Sequence, residues 1–234
     1  VRERFDLEPL PIGPDPCGIA LTRRAAAGLV AMPREFDPWP ADGPANVTHA
    51  GPIFEEAKTP PWQPPWPAED ERPLVVVTMG STYMHQEEVL TRIAAALGPL
   101  QVRVLVLTGH ELGAEELELG PEVAVRDFVP HAAVLPRAAL VVTHAGIGTL
   151  MASFAAGVPT LCLPLGRDQG GNADRVAELG AGASISAEAG EGEIREAAAA
   201  TMASAEIRAA AARMATAIAA YDTPKLAVET VERT

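Results

Sequence analysis

Leu140-Val-Val-Thr-His-Ala-Gly-Ile-Gly-Thr149 runs from an apolar strand pattern directly into a glycine turn, and Thr149–Ala156 then places apolar residues at spacings of three and four. That is the pattern of a buried strand feeding a helix. Nothing between Arg137 and Arg167 is formally charged when His144 is neutral, a length sufficient to cross a bilayer. Gly146, Gly148, Gly157, Pro159 and Pro164 divide it into strand- and helix-sized pieces, with Thr143, His144, Thr149 and Ser153 inside. A buried strand–helix–strand unit is therefore expected, and no membrane span.

Outward from this unit the same alternation continues. Strands are expected at Leu74–Met79, Val102–Leu107, Val123–Phe128, Leu140–Thr143, Thr160–Leu163 and Ala183–Ser186, and helices at Gln86–Leu97, Thr149–Ala156 and Asn172–Leu179. The Glu-rich crossover Gly109–Gly120 reads as a loose helix or a loop, and the acidic run Glu111–Glu118 as a solvated face. From Glu191 the chain is Ala-rich and helical, broken at Tyr221-Asp-Thr-Pro224. Strands alternating with helices imply an α/β fold, a Rossmann-like doubly wound parallel sheet. Its usual strand order places the first and fourth strands side by side at a topological switch point, where ligands bind.

The Pro-rich segment Thr59-Pro-Pro-Trp-Gln-Pro-Pro-Trp-Pro67 reads as an extended connector. The expected organisation is residues 1–58 as the tail of another domain, 59–72 as linker and 73–234 as the Rossmann-like domain with its C-terminal helices. Two short strands are expected before the linker, at Gly28–Met32 and Asn46–His49, too little to form an independent core. With 234 residues, 48 % apolar and 21 % charged, the chain has the composition of a soluble globular protein. A net charge of −13 argues against nucleic acid, so an anionic ligand must be held locally. Cys17 and Cys162 stand in unlike settings, which disfavours a disulfide and favours a cytoplasmic location. No secretory signal pattern opens the chain, and the missing initiator Met suggests residues upstream.

Two small-residue turns follow the first and fourth expected strands, Gly80-Ser-Thr82 and His144-Ala-Gly-Ile-Gly-Thr149. Glycines admit a ligand to the backbone, and a helix N-terminus offers N–H groups to an anion. Thr149 adds a hydroxyl, and His144 can donate to a phosphate. Alone, His144 reads more readily as a structural histidine, but two such turns at one switch point favour an anion site, with Gly148 serving the ligand or only helix–strand packing. After the fifth strand, Asp168 and Gln169 suit neighbouring sugar hydroxyls, or Asp168 caps the next helix. Phe128-Val-Pro-His131 ends the third strand, either reading the edge of a base through its backbone or forming a plain loop. Trp39, Trp62 and Trp66 either stack on sugars or pin the Pro-rich chain to a surface, the second being favoured. His49, His85 and His110 have no metal-ligand spacing, and no metal or other cofactor is expected.

Phe128-Val-Pro-His131, Val141–Thr149, Ala156-Gly-Val-Pro159 and Asp168-Gln169, in that order, resemble the donor-binding signature of GT-B glycosyltransferases of the family 1 type. The nearest branch is the bacterial enzymes that glycosylate macrolides and other natural products. The resemblance covers Leu74–Gly182, while Ala31–Pro38, Asn46-Val47 and Gly51–Ile53 resemble the end of that family's N-terminal domain. It implies that Ser81, Thr82, His144, Gly146, Gly148 and Thr149 hold the donor diphosphate. It also implies that Phe128, Val129 and His131 flank the base, with Val129 reading it through its backbone, and that Asp168 and Gln169 hold the sugar.

Two departures matter. Many relatives carry a Glu for the ribose hydroxyls where this chain has Ala152, which favours a dTDP-sugar over a UDP-sugar. The family's general base belongs to the N-terminal acceptor domain, so no catalytic residue is expected in this chain. The implied function is the donor-binding portion of an inverting transferase that moves a sugar from a nucleoside diphosphate to a small-molecule hydroxyl. A donor-binding subunit of a split enzyme, working with a separate acceptor domain, is the first alternative. A GT-B-fold sugar-nucleotide epimerase is the second. Apolar surface left by an absent acceptor domain makes self-association a further expectation.

Overall fold

The computed structural model describes residues 25–41, 43–54, 62–80, 85–109, 112, 117, 119–120 and 122–233. The chain divides into two compact units, one of Phe54–Ala219 and one of Val1–Ile53 with Ala220–Thr234.

The larger unit is built on a six-stranded, all-parallel sheet. Its strands are β3 (Leu74–Thr78), β4 (Arg103–Leu107), β5 (Val123–Arg126), β6 (Ala138–Thr143), β7 (Thr160–Cys162) and β8 (Gly182–Ser184). Their order across the sheet is β5-β4-β3-β6-β7-β8, so the first and fourth strands of the sheet are neighbours, as expected from sequence. β3 and β6 pair in register from Val75 with Leu140 to Thr78 with Thr143, which brings their carboxyl ends level.

Strand side chains alternate between two apolar layers, the consequence of the two-residue repeat of a pleated strand. Val75, Val77, Val104, Val106, Leu140 and Val142 face a layer completed by α1 (Glu87–Leu97) and α5 (Glu191–Ala203). Leu74, Val76, Leu105, Leu107 and Val141 face the other layer, with Val134 and Leu135. On that side lie α2 (His131–Val134), a short 3-10 turn (Leu135–Arg137) and α3 (Ile147–Ala155). Two more helices, α4 (Gln169–Glu178) and α6 (Ala205–Ala219), complete the unit. In the Gly109–Gly120 crossover, Leu112 and Leu117 are buried, and the other members of the Glu111–Glu118 run lie outside the described residues.

The linker tryptophans are pinned to this core. Trp62 and Trp66 pack on the second apolar layer with their rings edge to face at 6.3 Å. Arg137 lies over the Trp62 ring at 6.0 Å and Arg103 over Trp66 at 5.7 Å, each adding a cation–π attraction. Arg103 Nε also donates to the Arg72 carbonyl, while the Arg72 guanidinium grips Asp70 and holds its carboxyl down at about 2. Residues 62–72 are thus part of the larger unit, anchored by aromatic and charged side chains.

The smaller unit holds β1 (Gly28–Val30) and β2 (Val47–His49), which pair in parallel, and α7 (Thr223–Glu232). The His49 ring is buried, edge-on to Trp39 at 5.9 Å, with Nε2 2.9 Å from the Asp37 carbonyl. Asp222 caps α7, its Oδ1 accepting from Lys225 N, and Pro224 sits in the first turn where no N–H is needed. Residues 220–234 group with the N-terminal segment and not with the Rossmann-like unit to which the sequence pattern attaches them. Tyr221 is the reason: its hydroxyl accepts from Arg34 N at 2.9 Å and faces the Glu35 carboxylate at 3.4 Å. Its Cβ lies where any side chain at Gly51 would project, 2.5 Å from that position.

Candidate nucleotide-binding site

The carboxyl ends of β3 and β6 meet at the sheet's switch point, and each continues into a glycine turn. Gly80 takes φ +86, a left-handed value open to glycine, and a Cβ there would lie 2.8 Å from His144 Cε1. A Cβ on Gly146 would lie 2.5 Å from His144 Nε2. The imidazole is therefore slotted between two backbones that only glycine leaves open. His144 is 9 % exposed, and its Nδ1 sits 3.4 Å from Thr143 Oγ1. Burial pushes its pKa below 6.5, aided by the Arg167 charge and opposed by a hydrogen bond with the Thr78 backbone and by the Asp168 carboxylate. At neutral pH the free ring is uncharged and can donate through one nitrogen.

Helix α3 begins immediately after this ring. Gly146 is its N-cap, no side chain caps it, and its first internal hydrogen bond runs from Leu150 N to Gly146 O. The preceding N–H groups, of Ile147, Gly148 and Thr149, have no partner inside the helix and carry the positive end of its dipole. Nothing beyond the local helix backbone lies within 4 Å of a Cβ built on Gly148, so packing does not require glycine there. Thr149 is buried, and its carbonyl accepts from Ser153 Oγ. Ser81 and Thr82, expected to complete the opposite turn, lie outside the described residues.

Asp168 and Gln169 follow β7, at the same carboxyl-end side of the parallel sheet. Gln169 is 3 % exposed, and its Oε1 accepts from Leu165 N at 2.7 Å and Gly166 N at 3.0 Å, so the amide oxygen holds the loop. Asp168 occupies the N-cap position of α4 without making a side-chain cap bond. Its Oδ2 instead accepts from Asn172 Nδ2 at 3.0 Å, and that nitrogen also donates to the Ala145 carbonyl at 3.1 Å. Asn172 has no motif of its own in the sequence beyond lying one helical turn after Asp168.

Phe128, Val129 and His131 follow the edge strand β5. Phe128 is 62 % exposed, Val129 is buried in the second apolar layer, and His131 opens α2, its pKa lowered by burial. α2 packs against α3, which sets this turn beside the helix that begins at the glycines. The four-residue α2 occupies what the sequence leaves open as a loop. Ala152, on α3, packs against that same layer.

Among the described residues no cluster of His, Cys, Asp or Glu could hold a metal, and no helix is long and apolar enough to cross a membrane. Cys162 is a free thiol buried in the sheet, its pKa pushed up to about 12 by burial.

The sequence and the fold are matched among known proteins. The sequence model of the erythromycin biosynthesis protein CIII-like C-terminal domain matches residues 91–233. The demethyllactenocin mycarosyltransferase of Streptomyces fradiae is 36 % identical over 170 residues, 72 % of this chain and 36 % of that protein. The elloramycin glycosyltransferase ElmGT of Streptomyces olivaceus is 42 % identical over 121 residues, 47 % of this chain and 30 % of that protein. The chain thus spans about a third of these relatives' length. Among solved structures, a glycotransferase of kitacinnamycin superposes with a TM-score of 0.78 at 26 % identity, over 90 % of this chain and 55 % of that one. The glycosyltransferase VinC in complex with dTDP does so with a TM-score of 0.68 at 28 % identity, over 89 % and 53 %.

Proposed function

From the premise that this chain belongs to the family of erythromycin biosynthesis protein CIII-like C-terminal domains, we propose that it is the donor half of a natural-product glycosyltransferase. It binds a nucleoside diphosphate sugar across the switch point and stabilises the diphosphate as the sugar leaves for a small-molecule hydroxyl, with inversion. The observation that carries this reading is the His144 ring, fixed between Gly80 and Gly146 beside the uncapped start of α3. Fixed donors aimed at developing negative charge need no reorganisation during reaction, which is how such sites lower a barrier.

In this reading the N–H groups of Ile147, Gly148 and Thr149, with His144, take the diphosphate, and Ser81 and Thr82 are its further proposed ligands. Phe128, Val129 and His131 flank the base, with the Val129 backbone on its edge. Asp168 and Gln169 hold the sugar, with Gln169 also bracing the loop through its amide oxygen. No metal takes part, because helix N–H groups and His144 supply the positive field. An acceptor domain, joined to this one or separate, provides the base that activates the acceptor. Ala152 offers no hydrogen bond to a ribose hydroxyl, and a relative has been solved with dTDP, so dTDP is the favoured nucleotide.

Calorimetric titration of the chain with dTDP, UDP and ADP tests this. The thymidine and uridine nucleotides bind, dTDP the tighter, EDTA leaves both unchanged, and His144→Ala weakens both. Absence of binding by any of the three would overturn the donor reading. Tighter binding of UDP would overturn only the nucleotide preference.

A further inference from the structure

Asn172 lies half-buried in the first turns of α4, where its one amide nitrogen serves two acceptors. One is the Ala145 carbonyl, 27 positions away in the chain, at 3.1 Å, and the other is Asp168 Oδ2 at 3.0 Å. A primary amide has two N–H groups, so both bonds form at once. Ala145 is fully buried and takes φ +67, a left-handed conformation that costs a residue with a Cβ about 1–2 kcal/mol. Arg167, next to Asp168, is left-handed too, at φ 58. Both turns therefore hold backbone conformations that need an external restraint, and Asn172 touches both sides.

We propose that Asn172 is a positioning residue that clasps the His144–Thr149 turn to the Asp168 carboxylate, so that diphosphate and sugar are met by one rigid unit. The proposal rests on the donor reading above. The chemistry selects asparagine. Aspartate would set a second carboxylate against Asp168 and offer no N–H, serine has a single hydrogen to share, and alanine has none. The Asp168 carboxylate also acts on the His144 charge, so fixing its place fixes the field at the phosphate-facing ring.

Two measurements on the same chain test the clasp, using dTDP and dTDP-glucose as probes. In calorimetry, Asn172→Ala lowers dTDP affinity several-fold and dTDP-glucose affinity by about tenfold more, the scale of one or two lost hydrogen bonds to charged groups. Asp168→Ala loses at least as much of the glucose-dependent part, and the double variant loses no more of it than Asp168→Ala alone, because Asn172 acts on the sugar through Asp168. Asp174→Ala, on the exposed face of the same helix, changes neither affinity. Equal proportional losses for the two probes, or none, would overturn the proposal. In hydrogen exchange on the ligand-free chain, Asn172→Ala speeds exchange at the hydrogen-bonded amides that follow the turn, from Leu150 onward, and unchanged exchange there would overturn the clasp by itself. If the unaltered chain binds neither probe, the donor reading fails, and the exchange result alone decides whether the two turns are clasped.

Discussion

Replacing Gly148 by alanine should make the protein more stable and its nucleotide binding worse, two effects that rarely travel together. A Cβ at this position meets no atom within 4 Å beyond the local helix backbone, and Gly148 is exposed in the first turn of α3. Alanine is a better helix former than glycine by up to about 1 kcal/mol. For a chain of this size that is a rise of about 2–4 °C in melting temperature. The same methyl group stands over the first-turn N–H groups, where phosphate oxygens must come within about 3 Å to accept hydrogen bonds. Loss of one or two charge-assisted bonds is worth about 2 kcal/mol or more, a weakening of dTDP binding by about 30-fold. Differential scanning fluorimetry of the free protein and calorimetry with dTDP read the two effects separately. Unchanged dTDP affinity at raised stability would refute the idea that the diphosphate lies against Gly148, and lowered stability would show that the space beside it is not open.

Gly146→Ala should behave in the opposite way. Its methyl would stand 2.5 Å from His144 Nε2, so the ring must retreat by about 1 Å to reach normal contact, with Gly80 behind it, and overpacking of this kind costs about 1–3 kcal/mol. A lowered melting temperature together with lost dTDP binding is expected. Burial holds His144 and His131 below 6.5, so the unfolded chain takes up protons first. Their contribution to stability is intact above pH 6.5 and is lost as pH falls below it, which pH-dependent denaturation measures. A bound diphosphate raises the His144 pKa, so dTDP binding should take up protons and tighten from about pH 7.5 to pH 6, a trend that His144→Gln abolishes. Trp62→Ala removes the ring between the second apolar layer and Arg137, and should cost about 2 kcal/mol in denaturant unfolding.

The sheet was legible because its strands are short apolar runs set between helical repeats, and because right-handed crossovers leave few strand orders to consider. Val75, Val77, Val104 and Val106 facing one layer while Leu74, Val76, Leu105 and Leu107 face the other is that legibility in physical form. The His144 turn was legible for a related reason, since Gly146 of the motif is needed locally to clear the His144 ring. Asn172 was not, because its importance comes from a carbonyl 27 positions away, and no local periodicity encodes that approach. Helix α2 is only four residues long, too short to show a repeat. The partner of α7 was hidden likewise: an amphipathic helix announces that it must pack, while the choice of what it packs on rests with Tyr221 and the backbone at Arg34 and Gly51.

That last attachment bears on how such proteins can be recombined. The chain leaves the smaller unit near Ile53 and re-enters it at Ala220, so the Rossmann-like unit is an insertion between two parts of one body. A chimera made with a single junction in the Pro-rich segment would carry a foreign final helix into a body whose Tyr221 contacts evolved with another sequence. An exchange of the Rossmann-like unit therefore calls for two junctions, with residues 220–234 retained by the recipient.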